Sequence, residues 1–120
     1  MGVYTGIALD NVTINSGSAS FTNFGTTAPV IKTASFTVGV TDNNIVCNGS
    51  GSITVTLPTA STSTGRVLFI KTIAAQTVVS ASSNVKPIGS NTAGTAILAA
   101  SAGAWAMLVC DGTNWVIMAS

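Results

Sequence analysis

Apolar and polar residues alternate in short stretches along this chain and seldom recur at the three-and-four spacing of an amphipathic helix. Ser35-Phe36-Thr37-Val38-Gly39-Val40 alternates with period two, and Ile53, Val55 and Leu57 alternate with Thr54 and Thr56 up to Pro58. Ile45-Val46-Cys47 lies between the turn-forming clusters Thr41-Asp42-Asn43-Asn44 and Asn48-Gly49-Ser50-Gly51. Arg66 to Ile73 and Thr77-Val78-Val79 read as the next two strands. Trp105 to Cys110 and Trp115 to Met118 flank Asp111-Gly112-Thr113-Asn114, the pattern of a β-hairpin with a four-residue loop. A helical alternative for Ala96 to Ala106 is opposed by Gly103 and by the lack of a cap or a charged face.

These short strands predict an all-β fold, a small antiparallel β-sandwich of jelly-roll-like type over residues 31–120. Residues 1–30 form an N-terminal extended segment, for a shaft, an anchor or an extra strand, with a soft boundary at the punctuated stretch Gly25 to Pro29. Within it Ile7/Leu9 and Val12/Ile14 again read as short strands. No repeat of fixed period is visible.

The two C-terminal strands are apolar on both faces. Trp105, Met107 and Val109 point one way and Ala106, Leu108 and Cys110 the other, so the core of one subunit covers a single set. The remaining set predicts burial against another subunit.

Composition sharpens this picture. Charged residues are 6% of the chain, against about 25% in an ordinary soluble domain. Ser and Thr supply roughly a quarter of it, so hydroxyls carry the polarity, and such sequences suit pleated surfaces. A net charge of +1 leaves no electrostatic footprint for nucleic acid or an anionic membrane, and so little charge disfavours a freely soluble monomer. The run from Pro87 to Cys110 lacks charges but is broken by Gly, Ser, Asn and Thr, so no membrane insertion is expected. The N-terminus carries no basic region followed by an apolar one and does not read as a secretory signal.

Catalytic chemistry is poorly provided for. The chain has no His and no Glu, and its three aspartates, Asp10, Asp42 and Asp111, sit beside Asn or Gly as turn formers do. No catalytic residue, cofactor-binding residue or metal ligand is expected, and no cofactor. Cys47 and Cys110 read as buried, reduced thiols. Trp105 and Trp115 at the strand mouths, Met107, and Arg66 and Lys71 flanking an apolar strand are the candidates for a subunit interface or a ligand contact, with stacking on sugar or an acidic glycan as the second reading.

Four segments in order carry a resemblance: Thr41 to Asn48, Ile53 to Leu57-Pro58, Gly65-Arg66 to Ile70-Lys71, and Cys110-Asp111-Gly112-Thr113-Asn114-Trp115. Together they resemble a module of tailed-bacteriophage tail fibres, tail spikes and other virion structural proteins, over roughly residues 34 to 118. The matching positions are Leu57, Pro58, Gly65, Arg66, Asp111, Gly112, Asn114 and Trp115. Cys110 departs from the pattern, which commonly has Ser before the Asp-Gly. The resemblance implies a trimeric β-structured appendage on the virion, assembled in the host cytoplasm and involved in host attachment, with other virion proteins and a host glycan or receptor as partners. A capsid decoration or head-fibre protein, and a secreted bacterial carbohydrate-binding or adhesin module, are the competing readings.

Overall fold

The computed structural model describes residues 15–17 and 27–120. The expectations placed on residues 1–30 therefore lie almost wholly outside the described residues. From Val30 on, ten short strands form two mixed sheets, an all-β architecture with no α-helix among the described residues.

The first six strands are β1 (Val30–Lys32), β2 (Phe36–Thr37), β3 (Asn44–Cys47), β4 (Ile53–Thr56), β5 (Val67–Thr72) and β6 (Val78–Ser80). Odd-numbered strands fall in one sheet and even-numbered strands in the other, and every neighbour pair among them is parallel. The chain thus winds as three stacked coils, each with one strand in either sheet. Stacking is in register: Val30, Ile45 and Ile70 align in one sheet, Phe36, Val55 and Ser80 in the other. Corner hydrogen bonds continue the ladder past the strand ends, from Asn48 N to the Lys32 carbonyl (2.8 Å) and from Ile73 N to the Cys47 carbonyl (3.0 Å).

The antiparallel expectation is corrected here. Clusters such as Asn48 to Gly51 turn the chain between sheets rather than between hairpin partners, so the strands meet their neighbours one whole coil later. Val30 to Ile45 is 15 residues and Ile45 to Ile70 is 25, which hides the winding from any search for a fixed period.

Four more strands close the C-terminal end: β7 (Val85–Lys86), β8 (Ala96–Leu98), β9 (Trp105–Cys110) and β10 (Trp115–Ala119). β9 pairs antiparallel with β5 and with β10, and β8 antiparallel with β6. The larger sheet, here sheet A, has the order β1-β3-β5-β9-β10-β7, and sheet B the order β2-β4-β6-β8. The hairpin expected at Asp111 to Asn114 is present, while Ala96 to Leu98 is a strand rather than a helix.

The core lies between the sheets. Ile45, Cys47, Leu68, Ile70, Ala106, Leu108, Cys110 and Trp115 come from sheet A, facing Ile53, Val55, Val78 and Ile97 from sheet B. Both cysteines are free thiols. Burial pushes the Cys47 thiol up to about 11, which keeps it protonated and unreactive at neutral pH.

Candidate functional site

The residues that carry the family resemblance are far apart in sequence but meet at one end of the fold. Trp115 opens β10 facing inward and is fully buried. Its indole N–H donates to the Pro58 carbonyl in the loop after β4 (3.0 Å), tying the hairpin of sheet A to the loop that leaves sheet B. Gly65 N donates to the Cys110 carbonyl (2.8 Å) and Cys110 N to the Arg66 carbonyl (3.0 Å), while the Cys110 thiol donates to the Ala60 carbonyl (3.3 Å). Gly65 has φ of +83° and Gly112 of +96°, a left-handed backbone that L side chains rarely adopt. Leu57, next to Pro58 in the chain, is buried.

Asp111 accepts from the backbone N–H groups of Asn114 (2.7 Å) and Thr113 (2.8 Å), which makes the hairpin loop an Asx turn. Lys86 lies 3.7 Å from its other oxygen. The N–H donors of Asn114 and Thr113, in that order, and then Lys86 hold this carboxyl below its ordinary value of 3.8. A folded value below the unfolded one contributes stability above pH 3.8, lost as pH falls through the folded value. The wild type is therefore expected to exceed Asp111→Asn in stability at neutral pH, with the gap closing below pH 3.8; urea denaturation at neutral and acid pH measures it.

Trp115 is buried within the chain's own core, and Arg66 is engaged by a turn of the same chain. The Arg66 guanidinium donates through Nη2 to the carbonyls of Gly39 (2.6 Å) and Asp42 (2.8 Å), because the parallel winding sets the 39–42 turn beside the start of β5. That turn is closed by Gly39 N donating to the Asp42 carboxylate (2.8 Å), so Asp42, like Asp111, is a turn former. Asp10 lies outside the described residues.

Trp105, Met107 and Lys71 sit elsewhere, on the outer face of sheet A. Register aligns Ile31, Val46, Lys71 and Trp105 in one row, Asn44, Phe69 and Met107 in the next, and Val67, Val109, Val116 and Lys86 in a third. Trp105 is 44% and Phe69 41% exposed. Pro29, Asn44, Val46, Phe69, Lys71 and Trp105 border a shallow groove of about 330 Å³ in this face. Among the described residues Lys71 is the one ionisable side chain that lines the groove, and they bring no acid–base pair to it. No cluster of three or more potential metal ligands occurs among the described residues, and none of their helices is long and apolar enough to cross a membrane.

Phe69 is the face residue that a sequence reading passes over. Its signal is Val67-Leu68-Phe69-Ile70, apolar at consecutive positions and so apolar on both faces of β5. Scans against protein-family models, curated proteins and solved structures find no match to this chain.

Proposed function

We propose that this chain is a non-enzymatic structural protein of a tailed bacteriophage, a subunit of a homotrimeric tail-fibre or receptor-binding-type appendage that serves host attachment. The observation that carries the reading is how the motif residues are used. Pro58, Gly65, Arg66, Asp111, Gly112 and Trp115 direct their distinctive chemistry, whether hydrogen bonding or left-handed backbone, into joining coils and hairpin. Residues used this way specify a rigid architecture, as an appendage module requires, rather than a reaction centre. The chain's low charge and the apolar outer face of sheet A support a subunit that works in an assembly.

Immunogold microscopy with antibody against the purified chain tests the proposal on particles of the phage that encodes it. Label on the tail is the expected result. Label on the head would replace the tail assignment by a capsid decoration or head-fibre role, and unlabelled particles with labelled bacterial surfaces would point to a secreted adhesin or carbohydrate-binding module.

A further inference from the structure

The stack of coils is open where it begins. Among the described residues sheet A ends at β1 and sheet B at β2, whose one neighbour is β4. The core runs out between them: Val30 and Phe36 pack against it but are only partly buried, while Ile45 and Val55, one coil on, are 1% and 0% exposed. An open strand edge is a template for a further strand. The two edges differ in what they offer one. Register with Cys47 turns Lys32 of β1 inward, where its ammonium stands 5.2 Å from the centre of the Phe36 ring. An inward charge of this kind blunts an edge. β2 carries no charge, with Phe36 against the core and Thr37 exposed on the outer face.

The chain itself holds a second copy of the β2 sequence. Ala34-Ser35-Phe36-Thr37 is preceded by Ala19-Ser20-Phe21-Thr22, identical at all four positions; the tetrapeptide occurs only these two times, so it sets no period along the chain. Its spacing is nonetheless that of a coil. Phe36 to Ile45, where the second coil enters sheet A, is nine residues, and Phe21 to Val30, where the first coil enters it, is nine as well. The end of that first crossing is already stacked on the second: Thr27 Oγ1 donates to the Thr41 carbonyl (2.7 Å), and Asn44 Nδ2 donates to the Thr27 carbonyl (3.2 Å). We propose that residues 19–22 dock on the open edge of β2 as a further strand of sheet B, parallel to it, with Phe21 beside Phe36 and Thr22 beside Thr37. Phe21 then covers Phe36 at the open end of the core, and Thr22 prolongs the row of Thr37 and Thr56. Ser20 stands to Ser35 as Ser35 stands to Thr54, whose N–H the Ser35 hydroxyl accepts (2.9 Å), so the Ser20 hydroxyl is placed to accept from Ser35 N–H. Sheet A gains no strand, because one step of 15 before Val30–Lys32 lie residues 15–17, an exposed stretch that bends at Ser16 and Gly17. The edge that would otherwise recruit a strand from another chain is thereby closed by this chain's own N-terminal part.

Disulfide cross-linking of the full chain tests the pairing. Thr22→Cys with Thr37→Cys places two outward thiols on neighbouring strands, about 4.8 Å apart and within reach of a disulfide. Thr22→Cys with Thr56→Cys leaves a strand between them, at about 9.6 Å, beyond the roughly 7 Å that a disulfide spans. After mild oxidation the first protein is expected to lose two hydrogens in intact mass while remaining a single chain near 11.9 kDa on a non-reducing gel, and the second to stay reduced. The buried thiols of Cys47 and Cys110 are common to both proteins and cancel. Phe21→Lys and Thr22→Lys give an independent readout, since the first charges the inward side of the strand and the second the outward side: the urea midpoint is expected to fall by about 1 M for Phe21→Lys and to hold for Thr22→Lys. Should Phe21→Lys fail to fold, the cross-link decides. No cross-link between positions 22 and 37, equal cross-linking of both pairs, or a midpoint unmoved by Phe21→Lys would each overturn the proposal. A 22–37 cross-link that joins two chains would overturn it as well, by placing a second copy's segment on the edge.

Discussion

Replacing Trp115 with alanine is expected to lower the unfolding free energy by about 3–5 kcal/mol, the usual range for a large buried aromatic. Trp115 is the largest fully buried side chain among the described residues, so the cavity left behind would lie in the joint between hairpin and loop. The substitution also strips the Pro58 carbonyl of its indole donor. A domain of this size holds only about 5–15 kcal/mol in all, so the variant would sit close to unfolding, with a melting temperature lower by more than about 12 °C. Trp115→Phe separates the two contributions: it keeps most of the ring volume and loses the hydrogen bond, and a cost of about 1–2 kcal/mol is expected. Denaturant titrations of the three proteins give both numbers. Equal loss in Trp115→Phe and Trp115→Ala would mean that the bond to Pro58, not the packing, holds the end of the fold together.

The second large effect is expected at Gly49, and it tests the winding itself. Gly49 turns the second coil at a corner sandwiched between its neighbours. A Cβ placed there would stand 2.6 Å from the Thr33 carbonyl oxygen of the first coil and 3.2 Å from the Gln76 side-chain oxygen of the third. The Gly49 N–H already donates to that Gln76 oxygen (2.8 Å), so the two corners cannot part without losing a half-buried hydrogen bond. The atom in the way on the other side is backbone, which cannot rotate aside as a flexible side chain would. Gly49→Ala is therefore expected to cost about 2–3 kcal/mol by overpacking. Gly51→Ala is the control, since a Cβ at Gly51 meets nothing within 4 Å, and it should change stability by less than about 0.5 kcal/mol. Thermal and urea unfolding of both variants measure the contrast. If Gly49→Ala matched Gly51→Ala, coils one, two and three would not be stacked as described.

Both effects depend on partners brought together from distant parts of the chain, and this marks the limit of what was legible beforehand. Alternation at Ile53, Val55 and Leu57 against Thr54 and Thr56 announces a strand with one wet face, and β4 has that face. Asp42 and Asp111 announce turns through their neighbours, and both carboxylates accept backbone N–H bonds within their own turn. β1, β7 and β8 are two or three residues long and lie in segments without a period-two run, unlike β2, which sits within the alternating Ser35 to Val40.

Arg66 and the two tryptophans show where local sequence says least about the position of a side chain. Nothing local to Arg66 says that its guanidinium reaches the carbonyls of Gly39 and Asp42, which become neighbours only when coils stack. Trp105 and Trp115 each open an apolar strand of one hairpin, so their local surroundings look alike. Register separates them: Trp115 lies opposite Cys110 and Val85 on the inner side, while Trp105 lies opposite Lys71 on the outer side.

What the amino-acid sequence determined by itself is the kind of structure: period-two alternation and turn residues at short intervals admit strands and oppose helices, and doubly apolar strands at the C-terminus leave a second face to be covered. The same pattern leaves undetermined whether a strand pairs with the next one or with the one a coil later, because side chains alternate identically in parallel and antiparallel ladders. Only the tertiary structure decided that, through the turns that send the chain across to the other sheet and the register that stacks Val30, Ile45 and Ile70. The same register placed Trp105 outside and Trp115 inside, because inward and outward become defined only once a second sheet lies against one face, and the stacking of coils set Arg66 beside the 39–42 turn.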